Sequence, residues 1–252
     1  MNVVEFSLQI LAILFAVGLT AGFIDAMAGG GGLLTIPALL LSGMNPVSAL
    51  ATNKLQGSAG SLSASLTMIK KGLIHPKMMK VALIMAFVGS AVGTALVQLS
   101  PPDFLQKTLP FVIGAVGIYT LFSPNLGKLE TTPRISQKTY ERTFAPFIGF
   151  YDGYFGPGTG TFFSLSQVVL RGRDLVQATA RAKLLNFATN IASLIFFILG
   201  GQVVWVVGLV MMLGQLIGAY LGSHMVVKGG AKFIRPVIVA VCFCMVVKYV
   251  FF

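Results

Sequence analysis

Charged residues are scarce in this sequence, where they account for 10% of 252 positions. Soluble globular domains average about 25% charged residues, so the composition excludes an ordinary soluble domain. Hydrophobic residues make up 56% of the chain. We therefore predict an all-α polytopic membrane protein, built from apolar helices that cross the bilayer.

Cysteine is nearly absent as well. Cys242 and Cys244 are the only two, and residues two apart on a helix point to different sides, which favours neither a disulfide framework nor a zinc site. The glycine-rich segment 153–161 lacks the lysine of a phosphate-binding loop. We predict no metal and no cofactor. The first 24 residues lack lysine and arginine, so we also predict no cleavable signal peptide.

Acidic residues are fewer than basic ones, 7 against 18, and the net charge is +11. In a soluble protein this excess would suggest nucleic acid as a partner. Here the basic residues lie between apolar runs, where they determine topology beside anionic lipid. Membrane lipid is therefore an expected partner and nucleic acid is not. A homo-oligomer is compatible with the sequence, which does not determine the oligomeric state.

Several apolar runs are long enough to cross a bilayer, which takes about 20 residues of helix. They are 7–28, 47–69, 80–100, 105–122, 176–199, 203–225 and 233–252. The runs 33–41 and 161–170 are shorter, about 14–15 Å of helix at 1.5 Å per residue. Each follows a glycine-rich turn, which must then lie within the membrane. Broken helices are tolerated there only where they line a cavity or are buried in protein.

Loop charge favours ten segments, five in each half. Basic residues concentrate in the cytoplasmic loops of membrane proteins. If the 70–80 loop is cytoplasmic, the ten-segment arrangement leaves Lys107 as the only basic loop residue on the outside. The bases inside are Lys70, Lys71, Lys77, Lys80, Lys128, Arg134, Lys138, Arg142, Arg171, Arg173, Lys228, Lys232 and Arg235. When 144–156 and 161–170 are counted as one broken pair, this gives about eight full transmembrane helices. An odd number of segments per half inverts the second half and places both termini outside.

Two stretches of the chain are copies of one another. The first runs from Gly22 to Lys54 and the second from Gly149 to Lys183, and each opens with Gly-Phe-x-Asp, passes a glycine-rich turn and ends on lysine. Self-similarity of this kind indicates an early duplication. We predict a first transmembrane repeat at 1–122, a cytoplasmic linker at 123–143 and a second repeat at 144–252. Inverted-topology repeats are a common basis for alternating access in transporters.

Asp25 and Asp152 occupy equivalent positions in the two copies and fall within predicted membrane segments. A charged group at the bilayer centre costs about 2.5–3.5 kcal/mol on insertion scales. Two explanations remain open. The carboxyl groups could carry protons, since a low-dielectric cavity favours their neutral form, or they could cap helix ends at the adjacent glycine turns.

Lys54 and Lys183 form the second matched pair, each about two turns into an apolar helix. Snorkelling to the surface is the alternative explanation, but we favour a buried site for a small anionic solute. Neighbouring polar side chains would complete it: Asn53 and Gln56 in the first half, and Arg181, Asn186 and Asn190 in the second. Backbone N–H groups of the glycine turns would add donors; these are Gly29, Gly30, Gly31, Gly32, Gly156, Gly158 and Gly160.

Two other functions compete with a secondary transporter. Paired membrane carboxylates can perform general acid–base chemistry, so an intramembrane aspartyl protease using Asp25 and Asp152 is one alternative. It requires the two side chains to lie within hydrogen-bonding distance. A non-transporting membrane scaffold is the other alternative, and it would leave the membrane charges unexplained.

The paired motifs resemble those of the sulfite exporter TauE/SafE family. They are Gly-Phe-Ile-Asp with the four-glycine turn and Ala-Thr-Asn-Lys in the first half, and Gly-Phe-Tyr-Asp-Gly-Tyr-Phe-Gly-Pro-Gly-Thr-Gly with Ala-Arg-Ala-Lys in the second. The resemblance covers nearly the whole chain. It implies a permease of the bacterial inner membrane for sulfite, a sulfonate or another small organic anion. We predict a secondary transporter driven by the proton gradient or by the anion's own gradient, and not an enzyme.

Overall fold

The computed structural model describes residues 6–122 and 132–229, with side chains at 6–116 and 132–226. Within these ranges the regular secondary structure is entirely helical and contains no strand, which confirms the all-α prediction. The predicted segment 233–252, with Cys242 and Cys244, lies outside the described residues.

The first half contains five helices close to the predicted runs. They are α1 Leu8–Ala28, α2 Gly31–Leu41, α3 Pro46–Lys70, α4 Lys80–Gln98, which follows a 3₁₀ turn at Pro76–Met79, and α5 Pro102–Phe122. Side chains at two helix starts explain the boundaries. Ser7 accepts a hydrogen bond from the Ile10 N–H, and Asn45 accepts one from the Ser48 N–H. Such caps satisfy backbone donors that the first helical turn leaves free.

The second half begins with a helix interrupted by a π segment. Its elements are α6 Gln137–Thr139, the π segment Tyr140–Phe144, α7 Ala145–Tyr154, α8 Thr159–Arg171, α9 Leu175–Leu199 and α10 Trp205–Gly229. Helical structure therefore begins at Gln137, within the stretch expected to be linker. Pro146 has no N–H and would clash with an ordinary α-helical carbonyl, and a widened π turn directly before it relieves this conflict.

Four helical spans are both long and apolar enough to cross a membrane among the described residues. They are Leu8–Ala28, Pro76–Gln98, Leu175–Leu199 and Trp205–Val226. Helix α3 has the same 25-residue length as α9 but is more polar. Its buried residues include serines, threonines, Asn53, Lys54 and Gln56. The described structure is thus that of a polytopic membrane protein whose polar groups face inward.

Helix α2 folds back along α1 to form a hairpin. A Cβ at Gly31 would lie 3.0 Å from the Ala21 carbonyl oxygen and 2.7 Å from the Asp25 Cβ. Further along the pair, Leu14 and Leu39 belong to one buried apolar cluster. With 11 residues, α2 is about 16 Å long, roughly half a bilayer core. The glycine turn between α1 and α2 is therefore at the inner tip of this hairpin.

The first helix of each half packs on the fourth helix of the other half. Gly18 and Gly22 of α1 approach the backbone at Met211 and Gln215 of α10, so these helices run parallel. In the same way Gly89 and Gly93 of α4 approach α7 at Pro146 and Phe150. Small residues allow this close approach of helices. The contact of α1 with α10 is therefore equivalent to the contact of α7 with α4, with the two halves in exchanged roles.

Helices α3 and α9, which are equivalent in the duplication, pack against each other in opposite directions. Leu50 near the start of α3 shares an apolar cluster with Phe197 near the end of α9. At mid-length Gly57 faces Asn190. Near the end of α3, Met68 clusters with Ala178 near the start of α9. The central pair of helices is therefore antiparallel.

Close helix packing predicts opposite effects for two glycine substitutions. A Cβ at Gly218 in α10 would lie 2.0 Å from the Leu19 carbonyl oxygen of α1, so we expect Gly218→Ala to lower the free energy of unfolding by about 1–3 kcal/mol. Gly114 in α5 has no neighbour among the described residues within 4 Å of its Cβ position, and we expect Gly114→Ala to raise stability by up to about 1 kcal/mol. Apparent melting temperatures in detergent would distinguish them; equal temperatures would contradict the packing argument.

Candidate functional site

The four charged residues of the repeat form two ion pairs, and each pair joins the two halves. Lys54 Nζ lies 2.8 Å from Asp152 Oδ2, and Lys183 Nζ lies 2.9 Å from Asp25 Oδ2. Each lysine comes from a central helix, α3 or α9. Helices α7 and α8 form a second hairpin across the other glycine turn, with the Tyr151 and Phe162 ring centroids 5.1 Å apart. Each aspartate comes from the first hairpin helix of the other half, α7 or α1. The structure therefore brings together all four residues that the matched motifs singled out.

Both lysines are buried within the protein. Lys54 is 1% exposed and Lys183 is 0% exposed, so neither ammonium snorkels to the membrane surface. Burying an ion pair is costly unless its geometry is good and its remaining polar atoms are satisfied. The pairing explains how two cations and two carboxylates are accommodated inside a membrane protein.

Asp25 also caps a helix. Its Oδ1 accepts a hydrogen bond of 3.2 Å from the Gly31 N–H, at the first residue of α2. The capping explanation is therefore realised at Asp25 together with the ion pair. Asp25 and Asp152 are bonded to lysines and share no hydrogen bond with each other, so the geometry required by the protease alternative is not present.

The two glycine turns meet at the tips of the hairpins. A Cβ at Gly29 would lie 2.3 Å from both the Gly160 carbonyl carbon and the Thr161 amide nitrogen, so the backbones are in direct contact. The Thr161 hydroxyl also donates a 2.8 Å hydrogen bond to the Ala28 carbonyl. Only glycine at both tips allows this approach. Each turn thereby lies beside the buried charges of both halves.

A small polar cavity of about 30 Å³ lies among these groups. This volume holds roughly two water molecules. Its lining contains no large apolar side chain and comes from both hairpins and from α3, α9 and α10. The lining residues are Asp25, Gly29, Gly32, Asn53, Gly57, Asp152, Gly156, Gly158, Thr159, Gly160, Asn186, Asn190 and Gln215.

The amides of the cavity differ in how they are bonded. The Asn53 Oδ1 accepts hydrogen bonds from Thr35 Oγ1 at 2.6 Å and from Gln56 Nε2 at 3.0 Å. The side chains of Asn186 and Asn190 are 7% and 5% exposed, line the cavity and have no hydrogen-bond partner among the described residues. Within the described residues the Asn186 and Asn190 amides are therefore unbonded, whereas the Asn53 oxygen already accepts two hydrogen bonds.

Some predicted site residues do not line the cavity. Lys54 and Lys183 are not among the lining residues, whereas their ion-pair partners Asp152 and Asp25 are. Gln56 is fully buried and supports Asn53. Gly30 and Gly31 belong to the turn but not to the lining.

Arg181 lies in a different part of the protein from the cavity. It faces Arg171, Arg173 and Tyr140, at the end where α8 leads into α9. Its guanidinium is therefore part of a separate basic group and is not among the cavity lining.

Gln215 of α10 is a cavity residue that the sequence analysis missed. It is 3% exposed, and its Oε1 has no hydrogen-bond partner within the part of the chain that the structure describes. The signal was a single amide in an apolar helix, between the packing glycines Gly214 and Gly218. It escaped notice because Ala86 stands at the equivalent position of the first half, so the repeat does not mark it.

Comparisons with known proteins place these motifs in context. The family described as Sulfite exporter TauE/SafE matches residues 14–249. A "Probable membrane transporter protein" of Haemophilus influenzae is 49% identical over 247 residues, covering 98% of this chain and 97% of the relative. The "Probable membrane transporter protein YfcA" of Escherichia coli K12 is 46% identical over 242 residues, 96% and 90% of the two chains.

More distant similarity extends to a "Probable membrane transporter protein YdhB" of Bacillus subtilis. It is 27% identical over 243 residues, covering 91% of this chain and 96% of the relative. No solved structure matches the chain.

Proposed function

Because the chain belongs to the sulfite exporter TauE/SafE family, a family of membrane transporters and not of enzymes, we propose that it is a secondary transporter of a small anion. Sulfite, a sulfonate or another small organosulfur or organic anion is the proposed substrate class. The observation that carries this proposal is a polar cavity in the protein interior flanked by two buried lysines. A site with cations and free amide donors suits a compact oxyanion, which offers several acceptor oxygens.

We propose two inverted-topology repeats with about eight full transmembrane helices. The antiparallel packing of the equivalent helices α3 and α9 supports inversion. The equivalent contacts of α1 with α10 and of α7 with α4, each between the first helix of one half and the fourth helix of the other, support it as well. In such an arrangement, rocking of one repeat against the other exposes a central site to each side in turn.

The proposed anion site consists of Lys183, Asn186 and Asn190, with Lys54 as the matching cation of the other half. Asn53 contributes through its amide nitrogen, and Gln56 holds the Asn53 oxygen. Helices α2 and α8 begin at the glycine turns, and their first N–H groups lack intrahelical acceptors, so the turns add donors and a positive dipole. The glycines assigned to this role are Gly30, Gly32, Gly158 and Gly160. The N–H groups of Gly29, Gly31 and Gly156, which the sequence also suggested, already donate hydrogen bonds to Asp25 or Tyr151. Asp25 and Asp152 are the proposed proton-coupling groups.

We propose that Arg181 attracts the anion to the protein and does not bind it in the cavity. It lies with Arg171 and Arg173, and a cluster of like charge raises the local concentration of oppositely charged solutes. We assign this basic group to the approach of the anion.

The cavity is too small, in the described conformation, for the proposed substrate. About 30 Å³ holds roughly two waters, which is less than a sulfonate requires. Binding must therefore separate the hairpin tips or move α3 against α9. The free amides of Asn186 and Asn190 would then reach the substrate without first breaking a hydrogen bond.

We place the protein in the bacterial inner membrane, with both termini in the periplasm. The asymmetry of basic residues between loops supports this orientation. Membrane lipid surrounds the apolar helices, and homo-oligomerisation is compatible with their exposed faces.

Flux measurements in proteoliposomes test the transport proposal. Purified protein is reconstituted with a trapped pH indicator, and sulfite, thiosulfate, sulfonates and small carboxylates are added outside in turn. We expect at least one anion to change the internal pH faster than in protein-free liposomes. Because Lys54 supplies one of the buried cations, we expect Lys54→Ala to reduce this flux at least tenfold.

Lys107→Ala is the matched control, since Lys107 is exposed and lies outside the cavity. Acidification must exceed the passive leak of each protonated anion through the same lipid. Silence across the panel, with correctly folded protein, would contradict anion transport and favour the scaffold alternative.

A further inference from the structure

The buried site has no net charge as it stands. Asp25 with Lys183 and Asp152 with Lys54 contribute two negative and two positive charges. Helices α2, α3, α8, α9 and α10 pack against α1, which carries Asp25, and the ionisable side chain that contacts Asp25 is Lys183. The other charged or titratable side chains described on those helices lie outside the cavity lining: Lys54, which is paired with Asp152, and Lys70, Arg171, Arg181, Tyr220 and His224.

Resting on the proposed transport function, we propose that the anion replaces the Asp25 carboxylate on the Lys183 ammonium while Asp25 takes up a proton. The Asp25–Lys183 ion pair becomes a neutral carboxylic acid and a Lys183–anion pair. One proton enters with one monovalent anion, so the buried charge stays at zero. A divalent anion requires a second proton, for which Asp152 is the remaining carboxylate.

Charge balance is the reason for this coupling. An anion that entered alone would leave one uncompensated negative charge in the protein interior, which is strongly unfavourable. It would also compete with a carboxylate that already lies 2.9 Å from the Lys183 ammonium. Protonation of Asp25 removes both obstacles in one step.

The Asp25–Lys183 pair is better suited to this exchange than its counterpart. Three and seven residues after Lys183 stand Asn186 and Asn190, which share a helix face with it and have unbonded amides in the cavity. The equivalent positions after Lys54 are Gly57 and Ser61. The Ser61 hydroxyl already donates to the Gly57 carbonyl at 2.6 Å. An anion on Lys183 would thus gain amide donors that Lys54 cannot offer.

The exposed fractions of the two aspartate side chains also favour the Asp25–Lys183 pair as the site of exchange. The Asp25 side chain is 10% exposed, whereas that of Asp152 is 2% exposed. A proton from the cavity therefore reaches Asp25 more readily.

Steady-state accumulation of radiolabelled methanesulfonate in proteoliposomes tests the proposal, because this anion stays monovalent at every pH used. The membrane potential is set with potassium gradients and valinomycin, and the pH gradient is set independently. We expect accumulation to change tenfold per pH unit and to stay constant between 0 and 100 mV. A carrier that moves the anion alone would instead change accumulation about 50-fold per 100 mV.

The variant Asp25→Asn tests whether the Asp25 carboxyl group carries the proton that is coupled to anion transport. We expect this variant to exchange internal for external methanesulfonate but to lose the tenfold dependence on the pH gradient. Asp25→Glu, which keeps a titratable carboxyl group, is expected to retain that dependence. Asp103→Asn is the control, since Asp103 is exposed in the first turn of α5.

The outcomes distinguish this inference from the function on which it rests. Accumulation that follows the potential in the wild-type protein, or pH-driven accumulation that persists in Asp25→Asn, would overturn ion-pair exchange and leave transport standing. Absence of protein-dependent methanesulfonate uptake would overturn sulfonate transport, and ion-pair exchange with it.

Discussion

Lys183→Met is expected to lower the apparent melting temperature of the purified protein by about 6–20 °C. The substitution leaves the Asp25 carboxylate buried without its partner, and breaking a buried ion pair costs about 3–5 kcal/mol. In a chain of this size, 1 kcal/mol corresponds to about 2–4 °C. Thermal unfolding in detergent, followed by a thiol-independent fluorescent probe, would measure the change.

The double variant Asp25→Asn/Lys183→Met separates charge from packing. It removes both charges, so most of the lost stability should return, because an apolar or neutral replacement of a whole buried pair is often tolerated. Anion binding should not return, since the cation is gone. Lys107→Met, at an exposed lysine, controls for the loss of one positive charge. A double variant as unstable as Lys183→Met would contradict the ion pair as the source of the effect.

Gly29→Ala is expected to abolish transport and to reduce the yield of folded protein severely. Gly29 has φ +84°, and its Cβ would lie 2.3 Å from two backbone atoms of the other glycine turn. Backbone atoms cannot move aside as a flexible side chain can, so the hairpin tips must separate. Size-exclusion chromatography and methanesulfonate uptake would measure the two effects.

Gly43→Ala is a matched control for the clash at Gly29. Gly43 has φ +91° but no atom of the described residues within 4 Å of its Cβ position, so alanine there introduces the unfavourable backbone conformation without the contact. That conformation costs about 1–2 kcal/mol. We expect Gly43→Ala to fold and to transport. Similar behaviour of the two variants would show that the close approach of the turns is unimportant.

Helix positions followed from the sequence because each boundary has a local cause. The start of α3 at Pro46 reflects the Asn45 cap, and the end of α1 reflects the left-handed Gly29. Segment length alone located the short α2 and α8. The π segment before Pro146 was not predicted, because it depends on how one proline is accommodated within a packed helix.

The sequence by itself determined the membrane class, the duplicated motif and the four residues Asp25, Lys54, Asp152 and Lys183, since these depend on composition and on spacing along the chain. Only the tertiary structure decided that each lysine pairs with the aspartate of the other half. It also added Gln215 to the cavity and placed Arg181 elsewhere. Partners more than 90 residues apart in sequence are chosen by helix packing, and no local pattern records which faces of two helices meet.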